Sequence, residues 1–494
     1  MTRKKTSIII IGSGAFGLSS ALHLIQSGYE DITVFDRLDL AKLGYSFDNG
    51  ADTASADVNK VFRAYYGDKD HYHRLALEAK KVFLEWHKDL QGKSDKEAQQ
   101  LGIRVKKIIE NSGWLRIDNN EELSKDELTS LDIFAKTGLR DTQYVLNDTK
   151  DIKRAKDDGW YNKFDPLGLK SNPNFSKLNG VLDSTSGILY ASNVCLYVNA
   201  LLKAKGVKFI VGDPEGTVTE LIESNDEIKG IKTQDGKQHL LDLVILAAGP
   251  WSTSLLPELG GLSEAHSGNV ILIKIPESEP ELRSKYSTTN FPIVGWRLGE
   301  TKEKSNFGGL SVFPISEPEG YVKVISRQKK LLNPVNLQNG SLVSIPLTSR
   351  SSPPENRLSK NIIKQVKNFI RIFVPDLIQF GISKTELLWY TDTINNDFIV
   401  DYVPSKKNLL VVTGGSGHGF KFLPVLGKFV VDVIEGRENE YTKIFKWRDP
   451  KTFHDINSLG DLYEGKSSFY DQDLADPKEW EFTKEDLEQE IEID

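Results

Sequence analysis

Residues 7–36 read SIIIIGSGAFGLSSALHLIQSGYEDITVFD, and this stretch decides the fold. Ser7 to Ile11 is an apolar, β-branched run, too short for the core of a signal peptide and closed by glycine, as a buried strand is. Leu18 to Ser27 alternates small and apolar residues at helical spacing, and Ile32 to Phe35 is a second apolar run closed by Asp36. Strand, helix, strand makes a βαβ unit. Its first turn holds Gly12, Ser13, Gly14, Ala15, Phe16 and Gly17. Glycines 12 and 14 permit a tight turn and close approach of the backbone to a pyrophosphate, and Gly17 lets the helix lie against the strand. The helix N-terminus adds N–H groups and a positive dipole end. Asp36, 19 residues after Gly17, is placed to accept from ribose hydroxyls, with Arg37 beside it. The expected ligand is a dinucleotide.

Further along, the chain returns to the same layer twice. Leu243 to Gly249 is a second buried strand ending in glycine, followed by Pro250, Trp251 and Ser252. Asn408 to Thr413 is a third, followed by the glycine loop 414–419 and an apolar stretch from Phe420 to Ile434 that reads as a helix. A nucleotide domain assembled from distant segments, with a second glycine loop to cover another face of the ligand, favours FAD. Between them, Val207 to Val211, Thr217 to Ile222, Glu227 to Thr233, Val270 to Ile275, Leu310 to Phe313 and Tyr321 to Ile325 are short β-type runs. Asn361 to Phe373 is an amphipathic helix ending before Pro375. Residues from about 85 to 180 are polar and irregular. The fold class is therefore α/β, mixed with α+β character. Its parts are a Rossmann-like FAD domain (1–60, 180–255, 395–440), a substrate domain on an antiparallel sheet (61–179, 256–394), and an acidic, surface-wrapping or partly disordered tail (441–494).

Composition narrows the function. A net charge of −7 over 494 residues, with lysines scattered among acids, excludes a basic nucleic-acid surface. No run of 18 apolar residues occurs, so no membrane span is expected. The single cysteine, Cys195, rules out an internal disulfide and a cysteine zinc site, no metal is expected, and a reducing, intracellular and cytoplasmic setting follows. The C-terminal tripeptide is unlike a peroxisomal signal.

Four separated segments resemble one family. They are IIIIGSGAFGLSSALHLIQSGY (8–29), DVNKVFRAYYG (57–67), LAAGPWS (246–252) and WYTDTINNDFIVDYVPSKKNLLVVTGGSGHGFKFLPVLGK (389–428). The chain is similar to the fungal fructosyl-amino-acid oxidases, or amadoriases, and to the saccharopine and pipecolate oxidases, within the monomeric sarcosine oxidase group of the D-amino-acid-oxidase-like flavoproteins. The resemblance implies an FAD oxidase acting on the C–N bond of an N-substituted amino acid, with a small-molecule amine and O2 as partners, H2O2 as by-product and a monomeric chain. A flavin dehydrogenase with another acceptor, or a flavin-binding protein that has lost catalysis, is the alternative.

Position by position, the resemblance makes Lys421, in GHGFK, the lysine that binds the substrate carboxylate. Lys60 and Arg63 match two basic positions on a helix near the flavin and the substrate acid. Lys323, in GYVKVIS, matches the lysine that assists oxygen activation. Gly12, Gly14, Ala15, Phe16, Gly17, Asp36, Arg37, Lys60, Gly249, Trp251, Gly415, Gly417, Gly419, Phe420 and Lys421 are the expected cofactor contacts. An enclosed carboxylate needs a cation partner, and negative charge arriving on oxygen needs a fixed ammonium, so the residue types suit the chemistry. Each also has a plainer reading. Lys323 sits on an alternating strand and could face solvent, Lys60 and Arg63 could form a solvated basic face, His418 is either a substrate contact or a loop residue bonding backbone, and Tyr65, Tyr66 and Trp389 suit a core as well as a substrate cage. Two departures stand out. Leu388 occupies the position where the family commonly carries a cysteine joined to the flavin, which predicts non-covalent FAD. Arg327, four residues after Lys323, stands where relatives tend to carry an acid or histidine, which favours a second anionic group on the substrate or else opens a surface run of basic residues.

Overall fold

The computed structural model describes residues 4–296, 309–326, 330–348, 358–449 and 467–491. Arg327 lies outside them. A six-stranded sheet runs in the order Ile399–Tyr402, Leu409–Thr413, Leu243–Leu246, Ile8–Ile11, Ile32–Asp36, Lys208–Val211. All its pairs are parallel except the outermost pair, Ile399–Tyr402 with Leu409–Thr413. Four consecutive isoleucines make sense at its centre. Ile8 and Ile10 pack beneath the Ala15–Gln26, Ala191–Ala204 and Gly427–Ile434 helices, while Ile9 and Ile11 pack on the other face with Val244, Leu246, Val411 and Ile231. A parallel strand buried on both faces reads as an unbroken apolar run.

The second layer is an eight-stranded sheet ordered Lys384–Thr393, Ser263–Lys274, Tyr321–Ser326, Leu310–Val312, Ile293–Trp296, Trp114–Asp118, Asn179–Asp183, Gln143–Val145. Every pair is antiparallel except Ile293–Trp296 with Trp114–Asp118. Side chains alternate across it. One face, with Ile271, Ile273, Val322, Val324, Leu387 and Trp389, packs against the Lys360–Phe373 helix. The other carries Leu388 and Tyr390, Gly268 and Val270, and Lys323 and Ile325, and looks toward the parallel sheet's glycine loops.

Three sequence readings need correction. Lys60 and Arg63 do not lie on a helix: Lys60–Phe62 is a strand paired with Gly187–Leu189, Arg63 follows it, and the helix begins only at Asp70. Cross-strand pairing outweighs the helical spacing of the basic residues. The stretch from 85 to 180 is not irregular, since the Asp70–Gly92 helix runs into it and strands Trp114–Asp118 and Asn179–Asp183 belong to the large sheet. Phe420 to Ile434 is not one helix but a short 3-10 turn, Phe420–Phe422, and then the helix Gly427–Ile434. Residues 467–491 wrap the surface, with Phe469 and Ala475 buried and Lys367 Nζ 2.8 Å from Asp486. Among the described residues no helix is long and apolar enough to cross a membrane.

Candidate active site

A cavity of about 440 Å³ lies between the two sheets. At one end is the first glycine loop. Gly12 has φ +108°, and a Cβ there would stand 2.4 Å from the Ala247 carbonyl oxygen, so the close approach to the neighbouring strand requires glycine. A Cβ on Gly17 would meet the Gly12 carbonyl at 1.9 Å; its absence brings the helix onto the loop, and Gly17 itself stays off the cavity wall. Asp36 accepts from the Ser13 N–H at 2.7 Å, the Ser13 hydroxyl at 2.9 Å and the Leu38 N–H at 2.9 Å, so its carboxylate fixes the loop while facing the cavity. Gly14, Ala15, Phe16, Arg37, Gly249 and Trp251 line the same end, with the Arg37 guanidinium 4.3 Å from the Trp251 ring centre.

The second glycine loop closes the far side, bringing Gly415, Gly417, His418, Gly419, Phe420 and Lys421 to the wall. Its partner is the Tyr-Thr-Asp-Thr strand: the Ser416 N–H donates to the Thr391 carbonyl at 2.7 Å, and the Gly414 N–H to the Thr391 hydroxyl at 3.1 Å. These bonds explain why two motifs 23 residues apart travel together. Packing joins the loops as well, since a Cβ on Gly419 would fall 2.8 Å from the Phe16 ring.

Lys421 is 2% exposed. Its ammonium donates to the Tyr66 hydroxyl at 2.7 Å and to the His418 carbonyl at 2.9 Å. The His418 Nε2 lies 3.0 Å from the Asn396 carbonyl, which can only accept, so that nitrogen carries the proton and Nδ1, 3.2 Å from Tyr66, accepts from the phenol. Burial, then the nearby Lys421 charge, holds the imidazole well below its usual range and therefore neutral. Tyr66 thus takes a proton contact from Lys421 and passes one to His418, pinning the lysine head. Arg63 is placed behind this relay, stacked 4.4 Å from the Tyr66 ring centre and donating to the Tyr65 carbonyl; it is not on the cavity wall. Replacing Tyr66 by phenylalanine is expected to raise the KM for substrate about tenfold, roughly 1.4 kcal/mol, by freeing the lysine head. An unchanged KM would show that the phenol does not position it.

The large sheet supplies a second buried cation. Lys323 is 1% exposed and does not face solvent. Its ammonium sits 3.1 Å from both Asp57 carboxylate oxygens, 2.6 Å from the Asn59 carbonyl and 4.1 Å from the Phe313 ring centre. Lys60 reaches the same carboxylate at 2.9 Å. All three charged groups line the cavity, as does Thr53, whose buried hydroxyl has no hydrogen-bond partner among the described residues. The residues therefore fit an elongated dinucleotide that reaches from a helix N-terminus to a cationic end. Residues 7–433 match the family described as DAO, FAD dependent oxidoreductase.

The chain belongs to the FAD-dependent oxidoreductases. It is similar to the L-saccharopine oxidase of Schizosaccharomyces pombe, at 25% identity over 90% of this chain and 93% of that one. Against the amino acid oxidase fsqB of Aspergillus fumigatus identity is 27%, over 87% and 92%. In fold it matches the crystal structure of the fructosamine oxidase Amadoriase II from Aspergillus fumigatus, with a TM-score of 0.66, 24% identity and 92% of each chain covered.

In this oxidoreductase the sequence reading missed Asp57, which the structure places between two of the expected lysines, and Tyr66, which it treated as core as readily as cage. Asp57 stood three residues before Lys60 in the quoted Asp-Val-Asn-Lys, close enough along the chain to reach it. Trp389, by contrast, is fully buried on the far face of the sheet. Leu388 lines the cavity, while Cys195 is buried in the helix layer and off the cavity wall.

Proposed function

We propose that this enzyme oxidises the C–N bond of an N-substituted amino acid, uses dioxygen as acceptor, and holds its FAD without a covalent bond. The observation that carries the reading is one cavity with a phosphate-binding loop at one end and two buried ammoniums, Lys323 and Lys421, on the walls at the other. Bound there, FAD would supply the acceptor for the α-carbon's hydride and the route by which the electron pair reaches oxygen. The chain's own task is to hold and polarise. Lys421, pinned by Tyr66, pairs with the substrate carboxylate, which fixes the α-carbon in one orientation. The Leu388 and Tyr390 side chains and Gly268 give that region an apolar, close-fitting floor that excludes water. Lys323 offers a fixed positive charge to the electrons arriving on oxygen. The product imine leaves for water and hydrolyses. All of these groups come from one chain, in keeping with a monomer.

The test is anaerobic mixing with a panel of secondary amino acids, headed by saccharopine because of the Schizosaccharomyces pombe relative's name, followed by admission of air. Bleaching of the yellow colour by at least one member, then peroxide on aeration, is expected. Failure of the whole panel to bleach the flavin would overturn the substrate class, and reduction without peroxide would overturn oxygen as acceptor.

Attachment has its own measurement. The usual cysteine position is a leucine, and burial pushes the Cys195 thiol far above its ordinary range, leaving no thiolate to form a bond. Precipitation with trichloroacetic acid is expected to leave a white pellet and a yellow supernatant. A yellow pellet would reject the non-covalent assignment.

A further inference from the structure

Two ammoniums converge on one carboxylate beside the cavity. The Lys323 ammonium is held symmetrically by both Asp57 oxygens, and Lys60 competes for one of them. Asp57 comes from the 53–59 segment, which is also tied to the first glycine loop through the Ala15 N–H and the Ser55 hydroxyl, 3.2 Å apart, whereas Lys323 comes from the large sheet. The remaining charge facing Lys323 is Glu386 on the Lys384–Thr393 strand, and that buried carboxylate is already paired with Lys384 at 2.7 Å. The geometry leaves Asp57 as the sole ion-pair partner of Lys323 among the described residues.

We propose that Asp57 keeps Lys323 protonated and aimed into the cavity, making it a positioning residue for the oxygen half of the reaction, and that Lys60 opposes it by sharing the same carboxylate. This rests on the reading of Lys323 given above. Burial, opposed by Asp57 and reinforced by Lys60, brings the Lys323 ammonium down to about 8. A lysine so placed is charged below that value and neutral above it. Removing the carboxylate charge leaves two buried ammoniums facing each other, and the proton is then lost at lower pH. Removing Lys60 has the reverse effect.

The experiment mixes reduced holoenzyme rapidly with oxygen between pH 6 and 9.5 for wild type, Asp57→Asn, Lys60→Met and Lys323→Met. The wild-type reoxidation rate is expected to fall as pH rises through about 8. For Asp57→Asn the fall moves to lower pH, and a move of about one unit gives about fivefold slower reoxidation at pH 8, with recovery on acidification. For Lys60→Met it moves above the wild-type midpoint. A second readout needs no turnover: thermal stability of the apoprotein against pH. A buried lysine binds fewer protons folded than unfolded, so stability rises with pH from the folded value toward the unfolded one. That rise is expected to begin at lower pH in Asp57→Asn and to be absent in Lys323→Met. Asp57→Asn and Lys60→Met profiles that superpose on the wild type overturn the proposal, and if Asp57→Asn does not fold, Lys60→Met alone decides it. Wild-type reoxidation by Lys323→Met instead overturns the role of Lys323 itself, so the two failures are distinct. A purely structural Asp57 slows both half-reactions at every pH and moves neither midpoint.

Discussion

Replacing Lys421 by methionine is expected to lower kcat/KM for the amine substrate by about 10³, roughly 4 kcal/mol, with most of the loss in KM. The size follows from burial. At 2% exposure, with Tyr66 and the His418 carbonyl fixing its head, the ammonium proposed to pair with the substrate carboxylate sits where water has little access to replace it. The carboxylate is present in ground state and transition state alike, so the lost contact is chiefly uniform binding and appears in KM. Some loss in kcat accompanies it, because a less fixed α-carbon spends less time aligned for transfer. Methionine matches the length of the lysine stem, so the glycine loop should keep its shape, and the visible spectrum of the variant reports any loss of FAD. A KM within twofold of wild type would falsify the assignment of Lys421 to the carboxylate.

The sequence made the nucleotide half legible because its signals are local. Four isoleucines, a glycine turn and an acid at the end of the next strand each report on their own neighbours, and the structure places Gly12, Gly14 and Asp36 on one cavity wall. The amphipathic Lys360–Phe373 helix was legible for the same reason, with Pro375 to stop it. The large sheet was less so. Only residues 270–273 of the long Ser263–Lys274 strand carry an apolar run; the preceding part buries Glu264, His266, Ser267 and Asn269, and the His266 Nε2 lies 2.8 Å from Asp392 on the adjacent strand. In Trp114–Asp118 a buried Arg116 interrupts the run, paired with Glu127 at 2.7 and 2.9 Å. Buried polar residues whose partners lie on other elements erase the hydrophobic periodicity from which strands are read. The same cause hid Asp57. Its partner Lys323 is 266 residues away, and only the closure of the large sheet over the glycine loop brings them together.

Lys323→Met is expected to slow reoxidation of the reduced enzyme by oxygen about 10²–10³-fold, roughly 3–4 kcal/mol, while anaerobic reduction by substrate changes by less than about fivefold. The asymmetry is the informative part. Electron transfer to oxygen places a negative charge in a cavity whose wall there is made by Phe313, Ile325 and Val270, and an ammonium held within it stabilises that charge without reorganising. Substrate oxidation creates no such charge at that point if, as proposed, the carboxylate pairs with Lys421 on another part of the wall. Methionine keeps the length of the stem but removes the ammonium from over the Phe313 ring and with it the donor to Asp57 and the Asn59 carbonyl. Among the described residues Lys60 is then the one cation still bonded to Asp57, and the pair is electrically balanced. Their cancellation is why Lys60 cannot substitute for the missing charge. Rapid-mixing measurement of the two half-reactions separates the outcomes: equal slowing of both would mean that Lys323 supports the packing of the sheet, and slowing of reduction alone would place it with the substrate.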